Sequence, residues 1–281
     1  SVTLALYIIG NVLWVPEQPF ELSFNVTTLR NIQDRFSFYS SLFAVLAPLV
    51  WAALLRWRYT TPRHGVWALL LALVFMVVVI VAGGRAGWLG LLAGTAIFGA
   101  GLWWYHGAKW WRIALFCVLG LGAGLATYAA GHGTAYFQHR FGNFGASYET
   151  AGSGRLPIWQ YAVENLHRNP LTGIGMNGYR ELPPPPYHVN SRLHPHNFVL
   201  QLLLEVGLLG TLATAAVVAL MYWRLWRYVQ VSLYAVGGLS AMTAFWVCAL
   251  TNTNIFGVRW LIVLVVVYLL SYRLCRQGKA G

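Results

Sequence analysis

Seven long apolar segments constrain the fold of this chain more than any other feature of its sequence. Each is close to the ~20 residues that a helix needs to cross the hydrocarbon core of a bilayer. Charged residues make up only 9% of the chain, whereas soluble proteins carry about 25%. The sequence therefore predicts an all-α, polytopic transmembrane helical bundle and disfavours a soluble core. The segments lie at 36–55, 65–83, 88–105, 113–130, 197–223, 231–250 and 255–272.

The rest of the chain divides into short turns and one long polar insertion. Residues 131–195 form that insertion, which we predict to be one large loop containing short amphipathic helices. Residues 2–15 are apolar and look like the end of a further span, without the basic start of a signal peptide. We therefore expect residues 1–281 to form a single membrane domain that lacks its N-terminal spans. The three cysteines fit neither a disulfide framework nor a cysteine-based zinc site.

The positions of lysine and arginine predict the topology. If the spans alternate in direction, ten basic residues and no acidic residue fall in turns on one side, as is typical of the cytoplasmic side. The large loop then lies on the outer side. The net charge of +12 comes from residues that flank apolar spans, so it favours membrane lipids and a phosphorylated lipid as partners rather than nucleic acid. The ten residues are Arg56, Arg58, Arg63, Lys109, Arg112, Arg224, Arg227, Arg273, Arg276 and Lys279.

The predicted outer side carries nine basic residues, and all of them are arginines. One interpretation is that they balance the six acidic residues on the same side. The other is that some of them bind phosphate, because a guanidinium makes paired hydrogen bonds to phosphate and an ammonium does not. The arginines are Arg30, Arg35, Arg85, Arg140, Arg155, Arg168, Arg180, Arg192 and Arg259.

Within the large loop, residues 153–169 are predicted to form a short amphipathic helix that ends at Asn169-Pro170. Trp159, Val163 and Leu166 share one face, so the helix could rest on the membrane surface. Arg155 would lie at its N-terminal end, where the backbone dipole favours an anion. The structural alternative is an interfacial helix whose arginine extends its charged group into the aqueous phase and binds no ligand.

Two further motifs follow along the chain. Residues 173–178 are glycine-rich and could let the backbone approach a ligand, but no strand precedes them as a dinucleotide site requires. After a His-Pro-His-Asn turn at 194–197, Asn197, Gln201 and Glu205 recur every four residues as a polar stripe on an apolar helix. Such a stripe is expected to face the protein interior or a wet cavity. Gly207 and Gly210 would permit close helix packing.

The histidines of this region suggest a base rather than a metal site. His188, His194 and His196 could in principle bind zinc, but no carboxylate is adjacent, and Asp34 is the only aspartate of the chain. A single imidazole acting as a catalytic base is the more economical interpretation, because histidine titrates near neutral pH. A histidine that only caps a helix at the membrane boundary is the structural alternative.

Several of these motifs together resemble the O-antigen ligase family. His196-Asn197, nine residues and then Gly207-Leu-Leu-Gly210-Thr211 resembles the long signature of these ligases, and Arg85-Ala-Gly-Trp-Leu89 resembles their Arg-x-x-x-Leu signature. Ser153-Gly-Arg155, Asn169-Pro170 and Gly173-Ile-Gly175 resemble the large periplasmic loop of the wider ligase and polymerase superfamily. The resemblance covers roughly residues 65–223.

The predicted outer side carries arginines and almost no aspartate, which favours a metal-independent reaction without a cofactor, and a single displacement would invert the anomeric centre. The resemblance implies a glycosyltransferase in the bacterial inner membrane with its active site facing the periplasm. It would move O-antigen polysaccharide from undecaprenyl diphosphate to the lipid A–core oligosaccharide. His196 would match the family's essential histidine, with neighbouring His194 as the rival base, and Arg85 and Arg155 its essential arginines. The candidate substrate-binding residues are Arg85, Arg155, Arg192, His194, Asn197 and Arg259.

Other functions remain open at this stage. An O-antigen polymerase or a protein O-oligosaccharyltransferase would share the donor chemistry and differ in acceptor. A lipid-linked glycan flippase or transporter is the alternative from another class. It is disfavoured because the polar residues gather at the outer ends of the spans instead of running along several of them.

Overall fold

The computed structural model describes residues 26–60, 65–81, 84–109, 112, 115–126, 155–183, 195–251 and 258–277. The side chains at 26–38, 58–60, 65, 68, 81, 251 and 258–260 are left out of that description. Ser1–Asp34 and Arg35–Gly281 form separate compact units, and everything below concerns the second unit.

Within those ranges every regular element is helical, which confirms the predicted all-α membrane bundle. Nine α-helices are named here in chain order, and a single 3-10 turn covers Gly178–Glu181. The helices are α1 Val26–Thr60, α2 Gly65–Val81, α3 Arg85–His106, α4 Leu115–Ala126, α5 Arg155–Glu164, α6 Phe198–Glu205, α7 Gly207–Trp226, α8 Leu233–Thr251 and α9 Val258–Gln277.

Helix α3 packs closely against α8 through a row of glycines. A Cβ on Gly90 would lie 2.4 Å from Cys248 Sγ, and one on Gly101 would lie 2.6 Å from Val236 Cγ1. Glycine lets two helix backbones approach within a membrane, where van der Waals packing replaces the hydrophobic effect as the source of association. Because position 90 meets 248 and position 101 meets 236, the two helices run antiparallel.

Similar contacts fix the direction of the other helices. Ser40 of α1 lies beside Gly84, just before α3, whereas Trp51 of α1 contacts Phe98 further along α3. His106, at the end of α3, lies 3.1 Å from the carbonyl of Val229, beyond the end of α7. The described helices therefore alternate as predicted, with Arg85 at one end of the bundle and Lys109, Arg112 and Arg227 at the other.

Helix lengths support several membrane spans, and the protein is a multi-pass membrane protein. Four helices in the described ranges are long and apolar enough to cross a bilayer, namely Tyr39–Trp57, Arg85–His106, Gly207–Trp226 and Leu233–Leu250. Leu69–Ile80 and Leu115–Ala126 are apolar but shorter. All seven predicted spans contain helix, but the prediction of one continuous span at 197–223 was wrong, because the helix breaks between Glu205 and Gly207.

Candidate active site

Arg85 is the first residue of α3, and a serine of α1 fixes the turn before it. The hydroxyl of Ser40 lies 2.9 Å from the carbonyl of Val79 and 3.3 Å from that of Gly84, the residue preceding the helix. One turn into α3, a Cβ on Gly87 would lie 2.1 Å from the Ser40 hydroxyl and 2.6 Å from its backbone carbon. The start of α3, and with it Arg85, is therefore held tightly against α1.

Arg155 is the first residue of α5, whose apolar face packs on the protein. Ile158, Tyr161 and Ala162 are buried in one cluster with Tyr179, Leu182 and Leu204. The Tyr161 and Tyr179 rings meet edge to face at 5.8 Å, and the Tyr161 hydroxyl donates to the carbonyl of Pro183. Each large side chain buried in this way contributes about 1.5–3 kcal/mol to stability, so the cluster joins α5, the 3-10 turn and α6 into one unit.

The structure corrects the predicted bounds of the loop helix. The helix ends at Glu164 and not at 169, and the Asn165 side chain donates to the Tyr161 carbonyl at 2.8 Å in the turn that follows. Ile158, on the side of the helix that packs on the protein, is 2% exposed, whereas Val163 of the predicted apolar face is 53% exposed. The apolar side of the helix therefore contacts other parts of the chain, and the predicted rest on the membrane surface is not tested.

Arg85 and Arg155 lie near enough for their charges to interact, although they are 70 positions apart in sequence. Burial lowers the pKa of the Arg155 guanidinium, and repulsion by the charge of Arg85 lowers it further. Each arginine occupies the first position of its helix, where the backbone N–H groups carry partial positive charge. The structure thus gathers two guanidinium groups and two helix N-termini at one end of the bundle.

His196 directly precedes the cap of α6. The side chain of Asn197 accepts hydrogen bonds from the N–H groups of Val199 at 3.0 Å and Leu200 at 3.2 Å, as an N-cap residue does. Asn197 is therefore a structural cap in this structure, and its predicted role in substrate binding is not tested. His196 has a φ of 49°, in the left-handed region that residues other than glycine rarely adopt.

The break after α6 is stabilised by the glycine-rich segment. The N–H groups of Ile174 and Gly175 donate to the carbonyls of Leu204 and Glu205 at 2.9 Å, which satisfies the end of α6. On the other side of the break, the N–H groups of Leu208 and Leu209 donate to the carbonyls of Pro170 and Leu171 at 2.9 and 3.1 Å, which satisfies the start of α7. One loop therefore caps both helices, and Gly173 is the glycine of the segment that closely approaches this backbone.

The carboxylate of Glu205 binds the loop that contains the glycine-rich segment. The side chain is only 4% exposed, and it accepts hydrogen bonds from the N–H groups of Asn177 and Tyr179 and from Gln201, whose Nε2 lies at 3.3 Å. Burial raises the pKa of Glu205, while these hydrogen bonds and the charge of Arg180 oppose that rise. The buried polar stripe is confirmed for Gln201 and Glu205, and Glu205 acts there as an anchor for the loop.

Two residues of α8 connect this unit to the start of α3. The Trp246 ring packs on Phe198, two residues after His196, with ring centroids 4.8 Å apart. The thiol of Cys248 donates to the carbonyl of Ala86, the residue after Arg85, at 3.2 Å. Helix α8 therefore places the start of α6 at the same end of the bundle as Arg85.

Sequence reasoning missed Ser40, Cys248 and two tryptophans. The buried indole nitrogens of Trp159 and Trp246 have no hydrogen-bond partner among the described residues. Such donors normally find a partner in a folded protein, and a ligand oxygen is one kind of partner. The only signal for Ser40 is a polar pair, Ser40-Ser41, inside an apolar span. The sequence places Trp159 on the apolar face of the predicted loop helix, and nothing in it distinguishes Trp246 from the other tryptophans.

Three predicted site residues lie outside this geometry. Arg192 and His194 fall outside the described residues, and Arg259 lies in α9 with a side chain that is not described. The described residues contain no group of three or more His, Cys, Asp or Glu side chains that could hold a metal. The choice between His194 and His196 and the prediction of a metal-independent reaction are therefore still predictions.

This is a multi-pass helical membrane protein that brings two arginines together at one end of its bundle. The O-antigen ligase family model matches residues 67–215, just over half of the chain, and the chain belongs to this family. Membership makes it a glycosyltransferase-like enzyme of the ligase and polymerase superfamily, a group that acts on lipid-linked glycans. The match includes Arg85, Arg155, His196 and the break at Gly207. No curated protein matches the chain.

Proposed function

We propose that this protein is an O-antigen ligase, which transfers O-antigen polysaccharide from undecaprenyl diphosphate to the lipid A–core oligosaccharide. The observation that carries the proposal is the closeness of Arg85 and Arg155. Two like charges held together in a partly buried place destabilise each other, and an anion with more than one charge reverses that effect. A lipid diphosphate is such an anion, and it is the donor group that we propose for this protein.

In this proposal Arg85 and Arg155 bind the diphosphate, and they stabilise it most strongly as it leaves. The glycosidic C–O bond to the diphosphate breaks in the reaction, and negative charge builds up on the departing oxygen. Guanidinium groups and helix N-termini that are already in place stabilise this charge without reorganisation. They supply what a divalent cation supplies in other transferases, so the proposed mechanism is metal-independent and uses no cofactor.

His196 is the proposed base. It takes the proton of the acceptor hydroxyl while that oxygen attacks the anomeric carbon, and the C–O bond to the diphosphate breaks on the opposite face. A single displacement of this kind inverts the anomeric configuration. The proton on His196 then passes to water, and undecaprenyl diphosphate leaves as the second product.

The remaining candidates have supporting roles in this proposal. His194 is the alternative base and, together with Asn197, Arg192 and Arg259, contributes to binding of the glycan or the diphosphate. The proposed location is the bacterial inner membrane, with the Arg85 end of the bundle facing the periplasm. The support for this orientation is the charge distribution, since the opposite end carries the lysine-containing and acid-free turns.

A competition between acceptors tests the function. The purified full chain is reconstituted in vesicles with an undecaprenyl-diphosphate glycan, and equal amounts of lipid A–core, a second undecaprenyl-diphosphate glycan and an acceptor protein are offered together. We expect glycan on lipid A–core, with an inverted linkage by NMR and equal yields with and without EDTA. Extension of the second lipid-linked glycan would identify a polymerase, and transfer to protein would identify a protein O-oligosaccharyltransferase.

Transport needs a separate arm of the same experiment. Vesicles without any acceptor are made with the labelled donor in one leaflet only, and its appearance in the other leaflet is followed. Movement of the donor without transfer in the first experiment would replace the ligase proposal by a flippase. A preparation with Arg168→Ala is the matched control, because this exposed arginine of the same loop donates to Asn165 and has no role in the proposed reaction.

A further inference from the structure

A cavity of about 370 Å³ opens at the end of the bundle opposite Arg85. Its volume lies within the range of about 300–1,000 Å³ that is typical of ligand pockets. The inner part is apolar and aromatic, since the Trp51 ring packs edge to face on Phe98 and on Phe116, each with centroids 5.7 Å apart. The walls come from α1, α2, α3 and α4, so this cavity lies inside the bundle.

The rim of the cavity is basic. His106, Lys109 and Arg112 line it at the end of α3 and just beyond. Lys109 and Arg112 are exposed, whereas Trp51 and Phe98 are 2% and 5% exposed. An apolar interior below two positive charges is complementary to a molecule that has an apolar tail and an anionic head.

A second cavity of about 400 Å³ adjoins the first, and the two share Thr95 and Gly99 as lining residues. Its lining is almost entirely apolar and includes Leu91, Met76 and Leu121. Glycine at 99 and alanine at neighbouring positions leave room beside α3. Together the two cavities offer space for two adjacent hydrocarbon chains.

Exposed tryptophans place the rim at the depth of lipid headgroups. Trp103 and Trp104 stack on each other with centroids 5.5 Å apart and are 51% and 69% exposed, and Trp67 at the start of α2 is 63% exposed. Tryptophans gather where the hydrocarbon of a bilayer meets its headgroups. Basic residues at that depth attract anionic lipids.

This cavity is distinct from the candidate active site. Arg85 and His106 are the first and last residues of the 22-residue helix α3, so about 30 Å separates them at a rise of ~1.5 Å per residue. That distance matches the hydrocarbon thickness of a bilayer, ~30 Å. One lipid cannot place its phosphate at both ends, and the occupant of the cavity is therefore a different molecule from the glycan donor.

We propose that this cavity binds an acidic phospholipid, with its phosphate at Lys109 and Arg112 and its acyl chains in the two adjoining cavities. The lipid fills the space between α3 and the helices α1, α2 and α4 and makes that part of the bundle more stable. The proposal is independent of the transferase reaction, since none of its residues belongs to the candidate active site.

Native mass spectrometry of the full chain in detergent tests the proposal. The protein is titrated with phosphatidylglycerol or with phosphatidylcholine that has the same acyl chains. We expect one phosphatidylglycerol to bind saturably and at least tenfold more tightly than phosphatidylcholine. Lys109→Ala/Arg112→Ala should weaken phosphatidylglycerol binding at least tenfold, and Leu102→Trp, which adds bulk to the cavity wall, should weaken binding with the basic rim intact.

Arg227→Ala is the matched control, because Arg227 is exposed at the same end of the bundle but does not line the cavity. This variant should bind phosphatidylglycerol as the parent does. Equal binding of the two lipids, unchanged binding by the double alanine variant, or loss of binding with Arg227→Ala would each overturn the proposal. Inorganic diphosphate competing as well as the lipid itself would show a site for phosphate alone, which would also overturn it.

Discussion

Gly173 and Glu205 meet backbone to backbone. A Cβ at position 173 would lie 2.4 Å from both the carbonyl carbon and the carbonyl oxygen of Glu205, and φ of Gly173 is 73°. Gly207, on the other side of the helix break, has a φ of 67° and would place a Cβ 2.3 Å from the carbonyl oxygen of Leu171. Only glycine fits either position, because both the space and the backbone conformation exclude a side chain.

We expect Gly173→Ala and Gly207→Ala to destabilise the protein by roughly 3 kcal/mol or more, since each adds a backbone collision to the strain of a left-handed residue. Gly175→Ala is the matched control, because Gly175 has a φ of 96° but open space around its Cβ position. It should cost only the conformational strain of about 1–2 kcal/mol. Thermal unfolding in detergent measures the difference, and equal melting temperatures for the three variants would contradict it.

The buried carboxyl of Glu205 should make stability depend on pH. Because burial raises its pKa above the ordinary value of 4.5, the folded protein binds this proton more tightly than the unfolded chain does. The contribution of the group is therefore fully present below the unfolded pKa and is lost as pH rises through the folded pKa. Melting temperature should fall over that window, and Glu205→Gln should remove this part of the pH dependence.

The glutamine variant should also keep the local structure. Its amide oxygen can accept the N–H groups of Asn177 and Tyr179, and its amide nitrogen can donate to the Oε1 of Gln201, which is buried and lacks a partner among the described residues. Glu205→Ala leaves the N–H groups of Asn177 and Tyr179 and the amide of Gln201 without this hydrogen-bond partner. We expect it to lower the free energy of unfolding by about 1–3 kcal/mol. A pH profile of Glu205→Gln that is as steep as that of the parent would show that another group is responsible.

Replacing the arginines by lysine tests paired phosphate contacts. Arg85→Lys and Arg155→Lys keep the charge but lose the two parallel hydrogen bonds of a guanidinium. A charge-assisted hydrogen bond contributes about 1.5–3 kcal/mol, so we expect kcat/KM to fall roughly tenfold or more in each variant. Arg168→Lys is the control and should keep parental kcat/KM. Parental activity in both site variants would refute binding of the diphosphate by these two side chains.

The backbone at His196 determines how its role is tested. Because φ is 49° there, a loss of activity in an alanine variant could come from the backbone as well as from the missing imidazole. Asparagine tolerates the left-handed region better than most residues, so His196→Asn removes the base with less strain. We expect transfer to be abolished while the level in the membrane and the melting temperature stay parental.

The same measurement on His194→Asn separates the two histidines. If His196 is the base, His194→Asn retains measurable transfer. Transfer retained by His196→Asn and abolished by His194→Asn would assign the proton transfer to His194 instead.

The positions of the helices could be predicted because long apolar runs have few alternatives in a membrane. The break after Glu205 could not be predicted, because the apolar run continues through it. The break depends on hydrogen bonds to carbonyls and N–H groups of residues 170–175. In the glycine-rich segment, Gly173 closely approaches the backbone of Glu205 and Val206, a contact between residues far apart in sequence that no local pattern indicates. The packing of Ile158 and Tyr161 in the cluster around Tyr179 could not be predicted from periodicity, because both sides of α5 carry apolar side chains.

The site was predictable only in part for a similar reason. Arg85 was suggested by its position at the outer end of a span and Arg155 by its position at the start of the predicted loop helix, and in the structure their charges interact. The order of the helices does not indicate which side chains of α8 contact α3 and α6. Trp246, which contacts α6, and Cys248, which contacts α3, were therefore missed. Contacts between helices that are far apart in sequence depend on side-chain packing, and the sequence of one helix does not identify the helix that it packs against.

The cluster around Tyr179 joins residues 155–183 and 195–205 into one block that holds part of the proposed site. Arg155 and His196 stand on helices that share this cluster, whereas Arg85 belongs to a helix fastened to α1 by Ser40. A chimera between two family members that exchanges this block as a whole keeps the histidine and its arginine in register. A chimera whose junction lies between Asn165 and Leu182 takes the two parts of the cluster from different proteins, and their side chains must then pack against new partners. Exchange of the whole block therefore leaves Arg85 in its place against α1.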